Sequence, residues 1–252
     1  MKSKPKSKFA QGARKFFRMI GVVSITTLIR LVFMPRIVFE SKQAKQALKK
    51  HESILISNHC FWFDPLMMYL IGPWGKLSVV TAKEVLEGFK GKLLDVLGCV
   101  SLDRDTMDLV CLRECCNRIR QGETVAIFPE GQINFSGELL PFKAGVSFIA
   151  AQTGAPVVPV FISGDYRPFG KVKILVGDAI NLKEDFSTPV TAIELENATQ
   201  RLYNDMATLQ HKLHSTMTEK EIEGVKNFRA KFASSREVQI SQKAEEEASA
   251  VE

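Results

Sequence analysis

Short, mainly apolar runs alternate along the chain with longer stretches whose apolar positions recur every three or four residues. The runs fall at 37–39, 53–57, 77–80, 99–102, 124–128, 157–162 and 172–176 and are rich in β-branched residues. Continuous rather than alternating hydrophobicity predicts strands covered on both faces. Between them, helical spacing and end signals predict a helix from a cap at Asp105 or Thr106 to Arg120, with Gly122 just past its end. Another covers 144–153 and stops at Gly154-Ala155-Pro156. A third runs from Thr191 to about His214, with Ile193, Leu195, Leu202, Met206, Leu209 and Leu213 at mostly helical spacing. Strands alternating with helices predict an α/β fold: a mostly parallel sheet of about seven strands flanked by helices, with ligands beyond the carboxyl ends of the strands.

The two ends depart from this pattern. Seven basic residues from Lys2 to Arg18 occur without one acid, and the first acid is Glu40. An apolar stretch follows, 16–34, ending in Phe33-Met34-Pro35-Arg36 rather than in a small-residue cleavage site. Arg30 interrupts it, so it falls short of the ~20 apolar residues of a comfortable span. The arginines at its ends allow a short span by snorkelling. A basic leader feeding a hydrophobic helix is the pattern of attachment to an anionic bilayer surface, each Lys or Arg contributing ~1 kcal/mol. Nucleic acid is the poorer partner, because an arm for it does not usually run into a Phe/Ile/Val/Leu-rich segment. From Thr218 onward Lys and Glu alternate and large apolar residues thin out, which predicts a partly helical, then disordered tail. The expected organisation is therefore a membrane-binding helix in 1–34, an α/β domain in 35–217 and a charged tail in 218–252. The expected location is membrane-associated, on the cytoplasmic face.

Composition agrees with a globular chain: of 252 residues 45% are apolar and 25% charged, and 34 Lys+Arg against 28 Asp+Glu leave +6. Five cysteines, three of them within 111–116, read as reduced thiols rather than a disulfide framework. Cys111 and Cys115 share a helix face, but no Cys-x-x-Cys or nearby His supports a metal, and a packed face is the better reading. His211 and His214 are read as a solvated helix face. No metal site is expected.

Chemistry concentrates at strand ends. The 53–57 run leads into Asn58-His59-Cys60-Phe61-Trp62-Phe63-Asp64-Pro65. Asp64 followed by Pro65 reads as a helix N-cap with Pro at the first helical position. With His59 in the loop, Asp64 is in reach of its imidazole. A carboxylate on one ring nitrogen fixes the tautomer and leaves the other as a general base. Spacing alone equally admits an Asp64 that only caps its helix. Adjacent residues leaving a strand tend to point apart, which argues against Cys60 as a nucleophile partnered by His59. The 124–128 run ends in Pro129-Glu130-Gly131, whose backbone can turn N–H groups towards a ligand, and Lys143 opens the next helix beside an anion-favouring N-terminus. At a third strand end stands Arg104, whose planar fork suits phosphate. There is no Gly-x-Ser-x-Gly elbow, phosphate-binding Gly-x-x-x-x-Gly-Lys loop or Gly-x-Gly-x-x-Gly turn.

Four blocks in order resemble the glycerolipid acyltransferases, the family that includes 1-acyl-glycerol-3-phosphate acyltransferases. They are Asn58-His59-x-x-x-x-Asp64, Gly98-x-x-x-Leu102-Asp103-Arg104, Phe128-Pro129-Glu130-Gly131 with Gly137 to Gly145, and Val158-Pro159-Val160. The resemblance covers about 35–185. It implies that His59, oriented by Asp64, deprotonates a lysophospholipid hydroxyl attacking the thioester of acyl-CoA or acyl carrier protein, with no covalent acyl-enzyme and no cofactor. It implies that Asn58, Arg104, Glu130, Gly131 and Lys143 bind substrate. Where the family often has Thr and then Arg after the Glu-Gly pair, this chain has Gln132 and Ile133, which leaves Lys143 to compensate and keeps other lysolipid head groups open. Bulky Cys60, Phe61 and Trp62 suggest an apolar wall beside an acyl chain, or simply a loop packed on the sheet. A membrane-attached binding protein of the same fold is the alternative from another class.

Overall fold

The computed structural model describes residues 8–50, 52–86, 97–102, 108–170 and 172–233. All seven expected strands form: β1 (Arg36–Phe39), β2 (Ile54–Ser57), β3 (Leu77–Ala82), β4 (Val100–Leu102), β5 (Thr124–Ile127), β6 (Val157–Ile162) and β7 (Lys173–Val176). They build one sheet in the order β1-β7-β6-β2-β5-β3-β4. Every neighbouring pair is parallel except β6 and β7. The central strands β2 and β6 are buried at every position, as their continuous apolar runs require. Pro159, which has no N–H to give, stands just outside the β6–β7 ladder, which begins at Val160 paired with Val176.

Alternation along β2 sends Leu55 to one side and Ile54 and Ile56 to the other, and a separate core forms on each. On the first side lie α1 (Lys8–Phe33), α2 (Lys42–Ala47) and α3 (Asp64–Ile71). On the second lie α4 (Leu109–Arg120), α5 (Gly145–Thr153) and α6 (Ala192–Ser215). The caps explain the helix ends. The α4 N-cap is Asp108, whose carboxylate accepts the Cys111 N–H at 2.8 Å; the expected caps Asp105 and Thr106 lie outside the described residues. Thr191 and Glu194 close a full capping box on α6. Gly154 ends α5 in the left-handed region at φ 67°, a conformation that favours glycine.

Two expectations about the ends need correction. The helix α1 is not a leader separate from the domain: Val22, Thr26, Ile29 and Phe33 are buried, three of them in the first core against α3. Its opposite face, including Ile20, Leu28 and Leu31, stays exposed. Arg18 does not reach out as a snorkelling group; it is clamped onto the Leu77 carbonyl and pairs with Glu123 at 3.4 Å. No described helix is long and apolar enough to cross a membrane. At the other end, expected to be partly helical and then disordered, 219–233 is a helix, α7, and what differs is that it packs on the domain. Val225 and Arg229 on it are buried, and Phe228 and Phe232 pack edge-on against Phe61 at 5.0 and 4.8 Å. The charge-rich pattern concealed an apolar stripe of only a few residues. Residues 1–7 and 234–252 lie outside the described residues.

Cys111, Cys115 and Cys116 fill the second core as small apolar groups. His214 is not on a solvated face as expected. It is half-buried against the edge of Phe161, and burial, reinforced by the charge of Arg229, pushes it below the ordinary imidazole value.

Candidate active site

The end of β2 sits at the middle of the sheet, and the chain leaves it as a tight loop rather than a helix. Asp64 closes that loop. The cap of α3 is Phe63, and Asp64, already inside the first turn, swings its carboxylate back over the residues preceding it. Its Oδ2 accepts the Cys60 N–H at 2.6 Å, the Phe61 N–H at 2.7 Å and His59 Nδ1 at 2.9 Å. Its Oδ1 accepts the Tyr166 hydroxyl and, at 3.6 Å, the Cys60 thiol. The capping role expected from Asp64-Pro65 is therefore replaced by an anchoring one. Asp64 is fully buried, and every group around its carboxylate is a donor. That assigns the shared proton to Nδ1 and leaves Nε2 with a lone pair and no protein partner among the described residues.

His59 is held from three further directions. Its N–H donates to Glu130 Oε1 at 3.1 Å, its carbonyl accepts the Asn134 N–H at 2.7 Å, and its ring stacks on Phe128 with centroids 4.4 Å apart. Glu130 is buried, and its Oε2 takes the Asn134 amide at 2.9 Å and the Leu140 N–H at 3.1 Å. Desolvation raises its pKa, and these donors and the His59 N–H oppose the rise. Its carboxylate thus helps to frame the loop. Both ends of the Asn58 amide bond Ile162, at 3.0 Å to the carbonyl and 2.8 Å from the N–H. It bolts β2 to β6.

The remaining expected residues divide. Gly131, at φ 71°, lines the trench in front of His59, and the exposed Lys143 lies over it, so closely that a Cβ at Gly131 would come within 2.8 Å of the lysine side chain. Arg104 lies outside the described residues. The bulky loop between His59 and Asp64 splits its duties. Phe61 packs inward with Tyr166, while Trp62, 68% exposed, forms part of the trench wall. Cys60 shares the Asp64 carboxylate with His59 instead of pointing away, but burial and then the Asp64 charge push its thiol well up, opposite to what a nucleophile needs.

The trench measures about 190 Å³ and is lined largely by apolar groups of β3, β4 and β5 together with His59 and Trp62. The sequence reading missed Tyr166. It stands at the end of β6 and is itself buried, its hydroxyl pushed far up by burial and by Asp64. Its signal was its place after a strand end, the same cue that found the other loops. Chemically, the arrangement presents one oriented imidazole nitrogen to a mainly apolar trench, the layout of a general base for a substrate with a long hydrocarbon part.

Residues 36–163, half of the chain, match the Acyltransferase family. The chain belongs to that family. Among curated relatives of this acyltransferase-family chain, a chloroplastic 1-acyl-sn-glycerol-3-phosphate acyltransferase of Brassica napus is 35% identical over 126 residues, 48% of this chain and 36% of that protein. The 1-acyl-sn-glycerol-3-phosphate acyltransferase beta of Homo sapiens is 26% identical over 128 residues, 50% of this chain and 46% of that one. The chain thus matches less than half the length of either relative. The same fold occurs in the 1-acyl-sn-glycerophosphate acyltransferase PlsC of Thermotoga maritima, with a TM-score of 0.60 at 22% identity over 84% of this chain and 86% of that one.

Proposed function

We propose that this chain transfers a fatty acyl group from an acyl-CoA or acyl carrier protein thioester to the free hydroxyl of 1-acyl-glycerol-3-phosphate, giving phosphatidic acid. The observation that carries this reading is the Asp64-held His59, with its unpartnered Nε2 at an apolar trench, in a member of the acyltransferase family. His59 Nε2 takes the hydroxyl proton as the oxygen attacks the thioester carbonyl. The new C–O bond forms, the C–S bond breaks, and the proton passes on to the departing thiolate. Asp64 stabilises the imidazolium between those events. The thioester is already an activated carbonyl, so no cofactor is called for. The trench takes the hydrocarbon part of the substrates, with Trp62 at its wall.

The exposed face of α1 supports a place on the bilayer surface. Leu28 and Leu31 are 62% and 66% exposed. The patch continues through Phe63, whose ring packs 5.3 Å from Phe33, and through exposed Phe169, bonded by its N–H to Val32. Anionic lipid on the cytoplasmic face is the matching partner for the basic residues that precede it. A second acceptor class, another lysolipid, is favoured by Gln132 and Ile133 beside Gly131, which bring no fixed cation to the loop.

The test is transfer of labelled acyl groups by the purified chain to a panel of lysolipids. Phosphatidic acid formed faster than any other product supports the reading. Turnover only with another head group moves the substrate, and lipid binding with no turnover for any acceptor overturns the enzyme in favour of a binding protein.

A further inference from the structure

A guanidinium stays protonated at any pH a protein experiences, and taking it out of water carries a large penalty unless charge and hydrogen bonds replace the lost hydration. Arg18 meets the charge part of that requirement with Glu123 and the Leu77 carbonyl, although its buried Nε has no acceptor among the described residues. Arg229, on α7, does not. It is 8% exposed, yet its one hydrogen bond among the described residues runs from Nη2 to the Ser163 carbonyl at 3.1 Å. Among the described residues it makes no ion pair with a carboxylate, and its buried Nε has no acceptor. Two glycines keep its path clear. A Cβ at Gly137, φ 94°, would come within 2.5 Å of Nη1, and one at Gly164, φ 83°, within 3.4 Å of Nε and Nη2.

The side chain faces a cavity of about 540 Å³ between the 135–138 loop and helices α6 and α7, whose wall includes Ser136, His214 and Lys226. Lys226 is exposed and makes no ion pair among the described residues. Glu138 also lines the wall, so two fixed cations face one acid. A separate narrow cleft is lined by Arg229 together with Glu130, Glu138 and His59.

We propose that this cavity is a binding site for a phosphate ester, anchored by the Arg229 guanidinium with Lys226 as a further donor. An incoming phosphate supplies the acceptor oxygens and the negative charge that Arg229 lacks. Two sources carry that chemistry, the glycerol phosphate of the acceptor and the phosphates of the thioester carrier. Only this choice of source rests on the proposed acyl transfer.

The experiment titrates inorganic phosphate, glycerol 3-phosphate and CoA onto the full chain and onto Arg229→Gln, reading heat of binding and thermal midpoint. The wild-type chain is expected to bind at least one of these. Arg229→Gln should weaken binding by roughly 10- to 100-fold, the range for losing a charge-assisted hydrogen-bond partner. Kinetics then separate the sources. A rise in KM for lysophosphatidic acid, but not for a neutral monoacylglycerol, assigns the acceptor's phosphate. A rise in KM for acyl-CoA, but not for a phosphate-free acyl thioester, assigns the donor's. Equal binding by both proteins, or none by the wild type, overturns the site, as does a lowered thermal midpoint with every affinity unchanged. Should Arg229→Gln not fold, the exposed Lys226→Glu puts a negative charge on the same wall and must lose phosphate binding. A chain that binds phosphate through Arg229 but transfers no acyl group would keep this site and defeat the proposed function.

Discussion

The two sides of His59 are built on opposite plans. On the inner side nearly every polar group is paired: Asp64 serves five donors, Glu130 three, and Asn58 bridges two backbone groups of one residue. On the outer side the cations are left open: Lys143 lies exposed over Gly131, and Lys226 and Arg229 line a cavity beside Glu138 with no ion pair among the described residues. The wired side fixes one imidazole in one tautomer, so that no reorganisation is needed when a proton moves. The unwired side keeps its charges for a ligand. The same contrast recurs along α1, where one face is stitched into the core and the other is unpartnered and apolar.

Cutting the wired side has the largest consequence. His59→Ala should abolish acyl transfer with the fold retained, as read by circular dichroism. Asp64→Asn should lower kcat by about 10²–10⁴-fold, the range for general acid–base assistance. Either variant at near wild-type turnover would break the comparison. On α1, Ile29→Ala should destabilise the chain by ~2–5 kcal/mol in urea unfolding, as a buried large-to-small change does. Leu28→Glu with Leu31→Glu on the open face should leave the unfolding midpoint nearly unchanged and reduce flotation with anionic vesicles. Because α1 supplies part of the core, these substitutions separate membrane attachment from folding where deletion of 1–34 would not.

Tyr166→Phe is a smaller cut. It removes a hydrogen bond to a buried carboxylate and is expected to cost roughly 1.5–3 kcal/mol of stability. The accompanying loss in kcat should be well below that of Asp64→Asn, since the His59 hydrogen bond survives. The smallest effect concerns Glu130. Desolvation lifts its pKa in the folded chain above the ordinary 4.5, so just above pH 4.5 the unfolded chain releases this proton first. The folded state then holds more protons, and this carboxyl makes stability fall as pH rises towards the raised value. Glu130→Gln should flatten that slope. It should also lower stability throughout, because an amide NH₂ would confront the Asn134 and Leu140 donors.

The strands were legible because each of the seven carries a short, mainly apolar run, although only β2 and β6 are buried at every position and the edge strand β1 has exposed positions. The loop at the end of β2 was legible because Pro65 marks a helix start and so leaves His59 in irregular chain. The partners of that loop were less so. Asn58 and Glu130 look like ligand residues in a linear reading, and only the closure of β6 and of the 130–140 loop onto them shows their polar atoms already used. Tyr166 meets Asp64 across 102 residues. Arg229 lies in a helix whose few buried side chains are scattered among Lys and Glu, a pattern that a solvated tail shares.

The central claim is direct attack by the acceptor hydroxyl with His59 as base and no acyl group on the protein. Rapid quenching of the chain with radiolabelled acyl donor, with and without lysophosphatidic acid, tests it most directly. The expected result is no protein-bound label at any time, and labelled lipid only when acceptor is present. Label accumulating on the protein without acceptor, and lost on Cys60→Ala, would contradict it and make the buried thiol the nucleophile.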